Sequence, residues 1–373
     1  MYIKNIQLTK FRNYESFSIG FNKGINIIYG DNAQGKTNLL ESIYVLALTK
    51  SHRSFIDNNL IKSGEKNSII KGKINIDNID SNLEIILLNK NKTLKIDNDV
   101  IKKVSNYISK FNIIIFYPDD LDLIKGSPNV RRRFLNLEIS QLYSNYLDIL
   151  NDYNKILKMR NDYIKLINQG ESFNLDYFNI LTNYYIEKAV LIYQIRNKFI
   201  NKLNLISENI FKDISGLDSF KIKYKTSIII DSFNKDDLKN NLSEKVKKVY
   251  DTEIRLKSTL LGPHKDDLEF YIGDKNIKSY GSQGQQRMAV LTLKLAEIEI
   301  FKGYTGNYPI LLLDDVFSEL DDNKKNNLLN YIKNDIQTII TTTDLENIDS
   351  KIIDNAKLIK IKNGQIVNEE EVE

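Results

Sequence analysis

The residues best suited to chemistry fall into three clusters. The first is Gly30-Asp31-Asn32-Ala33-Gln34-Gly35-Lys36-Thr37, which fits the P-loop pattern Gly-x-x-x-x-Gly-Lys-Ser/Thr without mismatch. Glycines let a backbone curl until successive N–H groups point inward, and a helix starting there adds the positive end of its dipole. Such a cradle suits the phosphates of a nucleoside triphosphate, with Lys36 bridging the β- and γ-phosphates and the Thr37 hydroxyl holding Mg²⁺. The setting agrees: the apolar run Ile25-Asn26-Ile27-Ile28-Tyr29 precedes the loop, and Leu39, Leu40, Ile43, Tyr44, Leu46 and Ala47 follow at helical spacing.

The second cluster is Ile310-Leu311-Leu312-Leu313-Asp314-Asp315, a buried-strand run ending in two carboxylates. Beside a P-loop, Asp314 is placed to support the metal and Asp315 to orient or deprotonate the attacking water. Lys36 and Asp314 are 278 residues apart, which points to one sheet split by a long insertion. The third cluster is Tyr280-Gly281-Ser282-Gln283-Gly284-Gln285-Gln286-Arg287. A Ser-Gln-Gly turn opening a helix offers a hydroxyl, bare amides and a dipole end, a second phosphate cradle. One chain already has its own loop, so the second cradle fits the nucleotide of another copy. Two subunits would then sandwich two ATP molecules across a two-fold axis.

These clusters need a sheet to hold them. Ile3, Ile6 and Leu8 open a short strand, and β-like runs at Ser68 to Ile76, Leu83 to Leu88, Thr93 to Ile96 and Ile113 to Tyr117 follow the loop helix. Asp77-Asn78 and Asp97-Asn98-Asp99 between them are turn formers. From Arg131, the residues Ile139, Leu142, Tyr146, Ile149, Tyr153, Ile156, Tyr163 and Ile167 alternate three- and four-residue steps, interrupted at Arg160. That stripe predicts a long helix, punctuated at Gly170, with a second from Leu175 to Phe211 and an antiparallel hairpin between them. Phe220, Ile222, Tyr224, Thr226, Ile228 and Ile230 alternate with Lys221, Lys223 and Lys225, giving a strand with one apolar and one basic face. A third helix is expected over Asp237 to Lys257. Arg287 to Phe301 reads as helix and Ile336 to Ile340 as strand, a return to α/β character.

The 373 residues suit two or three domains, or one with a large insertion, and hydrophobic content of 42% is enough for a core. With no Cys, disulfides, thiolate zinc sites and cysteine nucleophiles are excluded. Two histidines, His52 and His264, are too few for a histidine-built metal site. No apolar run has membrane-spanning length and the N-terminus lacks a signal-peptide layout, so the expectation is a soluble cytoplasmic protein. The net charge of +4 averages over all faces and leaves nucleic acid open.

The order of P-loop, long helical insertion, Ser-Gln-Gly-Gln and Asp-Asp followed by Ser318-Glu319-Leu320-Asp321 resembles the ATP-binding-cassette/SMC head, and within it the RecF family. Phe11-Arg12-Asn13-Tyr14, Ser51-His52-Arg53-Ser54, Phe116-Tyr117-Pro118-Asp119-Asp120-Leu121, Lys125-Gly126-Ser127-Pro128, Arg131-Arg132-Arg133-Phe134-Leu135 and Leu261-Gly262-Pro263-His264-Lys265-Asp266-Asp267-Leu268 carry the likeness across essentially the whole chain. The resemblance implies an α/β P-loop ATPase head assembled from both chain ends, residues 1–134 and 256–373, with an inserted helical lobe at 135–255. It implies an ATP-dependent DNA-binding protein of recombinational repair and replication, acting at gaps and junctions of single- and double-stranded DNA. RecR and RecO would be its partners in loading RecA, and the damage response its setting. ATP would drive homodimerisation, and slow, DNA-dependent hydrolysis would reset the complex. Carried over, Gly30 to Thr37 bind ATP-Mg²⁺, Ser282 and Gly284 engage the partner's γ-phosphate, Asp314 supports the metal, Asp315 is catalytic and Asp321 lies at the dimer seam. Arg12 and Arg53 are candidates for the nucleotide's vicinity or for surface ion pairs.

Departures from the wider superfamily bear on mechanism. Asp315 stands where Glu is usual, so water positioning is expected to be poorer. Thr341-Thr342-Thr343-Asp344 replaces the switch histidine, and no glutamine lid is evident near Ile113 to Asp120. Arg131-Arg132-Arg133 and the lysine strand face are candidate DNA contacts, each with a structural alternative. An importer ATPase subunit, an SMC-like DNA organiser and a binding module with vestigial catalysis remain as other readings.

Overall fold

Four strands of the chain are buried on both faces: the largely apolar Ile25–Tyr29, Ile113–Phe116 and Ile310–Asp314, and the threonine-rich Thr338–Thr342. Such strands pair in parallel and are covered on both faces. In the computed structural model they share one sheet, in the order Gln365–Val367, Lys357–Lys362, Ile25–Tyr29, Thr338–Thr342, Ile310–Asp314, Ile113–Phe116. Every pairing is parallel except that of Gln365–Val367. Strands from both ends of the chain therefore interleave, and Thr338–Thr342 separates the loop strand from the carboxylate strand. The structure describes residues 1–367 apart from 55, 90, 171–172, 217–218, 319–324, 326–327, 329–331, 333–334 and 347. Asp321 and the acidic tail at Glu369-Glu370-Glu371 lie outside the described residues.

By its contacts the chain divides into two units, residues 1–120 with 291–373, and residues 121–290. These limits differ from 135 and 255. The helix Pro128–Leu142 and the strand Asp267–Ile272 pack on each other and are joined by Arg131 to Asp267, so both go with the helical unit.

In the first unit a second sheet runs Tyr14–Gly20, Tyr2–Phe11, Asn67–Ile76, Ile79–Leu88, Lys92–Ile96, Asp99–Val100, all antiparallel. Asp77-Asn78 and Asp97-Asn98 all adopt positive φ, between 49° and 74°, the conformation that tight hairpins require. The helix Lys36–Leu48 packs against strands of both sheets, and nearly all its residues are buried. From Ile43 to Leu48 it is apolar all round, as a helix segment enclosed on every side must be. A Cβ on Gly72 would run into Leu46, so that glycine lets the helix approach the strand.

The second unit holds the helices Pro128–Leu142, Tyr146–Asn168, Leu175–Ser215 and Lys235–Lys248, with a three-stranded sheet ordered Lys275–Asn276, Asp267–Ile272, Phe220–Lys225. The continuous stripe from Arg131 to Ile167 is broken: Tyr143 turns extended and Ser144-Asn145 follow, residues whose side chains compete with helical hydrogen bonds. The strand from Phe220 ends at Lys225, because Thr226 caps Ile228 O at 2.6 Å and Ser227 N–H turns to Asp266 at 3.1 Å. The expected helix over Asp237 to Lys257 is two, Lys235–Lys248 and Tyr250–Leu256.

Arg160, which interrupts the stripe, is fully buried, donating to Glu253 at 2.6 Å, Thr259 at 2.7 Å and Thr182 at 3.1 Å. His264 packs nearby, with Nδ1 2.6 Å from the Tyr153 hydroxyl and Nε2 3.2 Å from Thr259 O. Burial pushes its imidazole down from 6.5 to about 4. Between those values the unfolded chain takes up a proton that the folded chain refuses, so stability is full above about pH 6.5 and falls as pH drops towards 4. The loss expected from this group is up to about 3 kcal/mol. Urea titrations across that range should show the destabilisation of His264→Gln, relative to the native protein, shrinking on acidification; a constant difference would exclude the assignment.

Candidate functional site

The phosphate loop is shaped by three left-handed residues, Gly30 at φ 145°, Ala33 at 63° and Gly35 at 111°. Glycine is required at the ends by contact as well as by φ. A Cβ on Gly30 would strike Ile361 O, and one on Gly35 would lie 2.7 Å from Asn13 Nδ2 and 2.9 Å from the Tyr14 hydroxyl. Tyr14 also donates to Gly35 O at 3.0 Å. Phe11-Arg12-Asn13-Tyr14 therefore buttresses the loop from behind, a role no spacing in the sequence reveals.

Lys36 heads the helix and folds back onto the loop, donating to Gly30 O at 2.5 Å and Asp31 O at 2.7 Å. Burial lowers its pKa, opposed by the carboxylates of Asp315, Asp31 and Asp314. Thr37, one residue on, donates from its hydroxyl to Asp314 Oδ1 at 2.9 Å. Thr341 donates to the same oxygen at 2.7 Å. Burial raises the Asp314 pKa against these two hydrogen bonds. Asp315 is itself left-handed, at φ 52°, with its N–H 3.1 Å from Thr341 Oγ1 and 3.2 Å from Thr341 O.

Asn32, Ala33, Gln34, Gly35, Lys36 and Thr37 line a pocket of about 350 Å³, closed on other sides by Asn38, Arg53, Asp315, Thr341 and Thr343. Gly30 and Asp31 join this site through the carbonyls that bind Lys36, and Asp314 through its bond to Thr37. A hydroxyl and a carboxylate brought within 3 Å of each other are the hard oxygen donors that Mg²⁺ takes. Among the described residues no cluster of three His, Cys, Asp or Glu could hold a metal.

Arg12 forms a bidentate pair with buried Glu41, at 2.8 and 2.9 Å. Its guanidinium is thus committed to the loop helix. Arg53 is 45% exposed on the pocket wall and donates to Asn38 at 3.1 Å. Tyr117-Pro118-Asp119-Asp120 follows the strand Ile113–Phe116, and Asp120 turns into the core towards Lys294 at 3.3 Å.

In the second unit, Ser282 caps the helix Gln283–Thr305. Its N–H donates to Gln285 Oε1 at 2.9 Å, and Gln285 N–H returns to Ser282 Oγ at 3.3 Å. This Ser-x-x-Gln box is a helix-start signature that the sequence carries. Ser282, Gln283 and Gly284 are exposed, and a Cβ on Gly284 would meet only Ser282 Oγ, at 3.9 Å.

Of the candidate DNA contacts, Arg131 is engaged within the protein. Arg131 is buried, bonded to Asp267 at 2.6 and 3.0 Å and to the carbonyls of Gly126 and Leu123. Lys221, Lys223 and Lys225 stand exposed on an edge strand, where Lys225 pairs with Glu269 at 2.9 Å and Lys223 lies 4.2 Å over the Tyr271 ring.

No helix among the described residues is long and apolar enough to cross a membrane. The family model described as RecF/RecN/SMC N terminal domain matches residues 2–366. DNA replication and repair protein RecF of Bacillus cereus (strain G9842) is 43% identical over 98% of each chain, and so is that of Bacillus thuringiensis (strain Al Hakam). A solved structure of the recombination mediator protein RecF-ATP in the RecFOR pathway superposes with TM-score 0.88 at 32% identity, over 98% of this chain and 97% of that one. An Smc head domain from Pyrococcus furiosus, at 18% identity and TM-score 0.52 over 98% and 96% of the two chains, shares the fold. The interleaving of strands from the two chain ends around a P-loop is thus that of an SMC-type ATPase head, and the chain belongs to the RecF family of DNA replication and repair proteins.

Proposed function

We propose that this chain is an ATP-dependent DNA-binding protein of recombinational repair, a homodimer closed by ATP that engages gapped DNA and helps RecR and RecO to load RecA. The observation that carries the reading is the convergence of Lys36, Thr37 and Asp315 on one pocket, with Asp314 bonded to Thr37. On binding triphosphate, Lys36 would exchange the carbonyls of Gly30 and Asp31 for phosphate oxygens, and the loop amides from Asn32 to Thr37 would complete the cradle. Thr37 and Asp314 would hold Mg²⁺, which supplies charge neutralisation at the β- and γ-phosphates. Asp315 would orient the attacking water; its side chain is one methylene shorter than glutamate, consistent with slow turnover. Ser282 and Gly284, exposed at the head of their helix, would close on the γ-phosphate held by a second copy.

Gel filtration with ATP, Mg²⁺ and gapped duplex tests the clamp. The native protein is expected to run as a dimer and retain DNA, whereas Lys36→Ala and Ser282→Arg remain monomers. Normal dimers and DNA binding in both variants would end the clamp reading. DNA affinity should fall steeply with salt and show little base preference.

A further inference from the structure

We propose that Thr341 is a positioning residue of this ATPase site, acting on both carboxylates at the end of the Ile310–Asp314 strand. The inference rests on the hydrolytic reading above and assigns part of that site to a residue with no motif of its own. Parallel register sets Asp314 opposite Thr341. The Thr341 side chain is buried, and its hydroxyl has one proton and two lone pairs to distribute. The proton goes to Asp314 Oδ1 at 2.7 Å, in preference to Leu313 O at 3.4 Å. A lone pair receives the Asp315 N–H at 3.1 Å. A single hydroxyl thereby fixes the rotation of the Asp314 carboxylate and pins the peptide between Asp314 and Asp315.

That peptide needs pinning. Asp315 is a non-glycine residue at φ 52°, a conformation that persists only where the surroundings over-determine it. Thr341 supplies both restraints through its hydroxyl and its own carbonyl, the latter at 3.2 Å. The neighbouring threonines do other things: Thr342 donates to Asp344 O at 2.7 Å, and Thr343 faces the pocket. Asp314 Oδ1 also receives Thr37, so the Thr341 hydroxyl sets where that oxygen stands relative to Thr37, the other residue that would hold Mg²⁺. Groups that orient a metal ligand in this way typically alter metal affinity or turnover by about 10- to 100-fold when removed.

Thr341→Val keeps the β-branched shape and deletes the hydroxyl, Thr341→Ser restores it, and Thr341→Cys leaves a weak donor. Two readouts are taken on the full chain: the Mg²⁺ concentration giving half-maximal retention of a fluorescent ATP analogue, and the single-turnover hydrolysis rate. Thr341→Val is expected to need roughly tenfold more Mg²⁺ and to hydrolyse at least roughly tenfold more slowly, with nucleotide retention in EDTA unchanged. Thr341→Ser should match the native protein and Thr341→Cys fall between, an order that general loss of fold does not produce. Should Thr341→Val fail to fold, the Cys and Ser variants decide: native-like values for Thr341→Cys in both readouts overturn the proposal, as they do for Thr341→Val. Native protein that retains ATP without hydrolysing it overturns the hydrolytic reading alone, since the Mg²⁺ titration still decides Thr341. Native protein that retains no ATP overturns both.

Discussion

Asp266→Ala is expected to destabilise the helical unit by about 3–5 kcal/mol, the cost of leaving a buried charge without its counterpart. Asp266 is 1% exposed and is the hub of the second unit. It accepts from the Tyr224 hydroxyl at 2.6 Å and the Ser227 N–H at 3.1 Å, and faces Arg196 Nη1 at 3.5 Å. Arg196 is 2% exposed, and its other bonds go to Pro263 O at 2.8 Å, Asn136 at 3.0 Å and the Tyr146 hydroxyl at 3.2 Å. Those are neutral partners, so removing the carboxylate strands a guanidinium and a tyrosine hydroxyl together. Asp266→Asn keeps an acceptor and should cost less. The pair Asp266→Leu with Arg196→Met should recover much of the loss, because an apolar pair of similar volume spares both desolvation penalties. The chain has 21 tyrosines and no tryptophan, so tyrosine fluorescence during guanidinium unfolding is the natural probe. A loss below about 1 kcal/mol in Asp266→Ala would show that the hub is solvated or the pair dispensable.

Lys36→Ala should weaken ATP binding roughly 100-fold, about 3 kcal/mol, the scale of a desolvated charge-assisted contact. Its effect on unliganded stability should be far smaller. The two carbonyls that Lys36 now satisfies, Gly30 O and Asp31 O, are only part-buried, so water can replace the ammonium. Removing a cation whose pKa is already lowered by burial also relieves a desolvation cost. Calorimetric titration with ATP and parallel melts without it separate the two effects. Affinity within threefold of native would remove the phosphate-cradle reading, and an equal fall in melting temperature would recast Lys36 as a structural residue.

The site divides into parts that neighbours in sequence specify and parts that they do not. The phosphate loop is local: Gly30, Gly35, Lys36 and Thr37 act through backbone shape and one helix start, so their order along the chain is nearly their arrangement in space. The same holds for the Asp77-Asn78 and Asp97-Asn98 turns and for the Gly170 break after the helix ending at Asn168. Charged residues are different, because a charge takes its meaning from its partner. Arg131 looked available for DNA until Asp267, 136 residues later, came to meet it, and Arg12 is committed by Glu41. Asn13 and Tyr14 carry no motif for a phosphate loop, yet they stand against Gly35.

A P-loop, two carboxylates at the end of a buried strand and a Ser-Gln-Gly-Gln turn opening a helix, together with the interrupted sheet they imply, can be read from the chain alone. Each is a short run whose residue types dictate its own backbone and hydrogen bonds. That Asp314 shares its oxygen between Thr37 and Thr341, and that Thr341 holds the peptide before Asp315, follows from the folded arrangement alone. Those contacts depend on the register of parallel strands that lie far apart in the chain, and parallel pairing is set by which apolar faces the whole core buries.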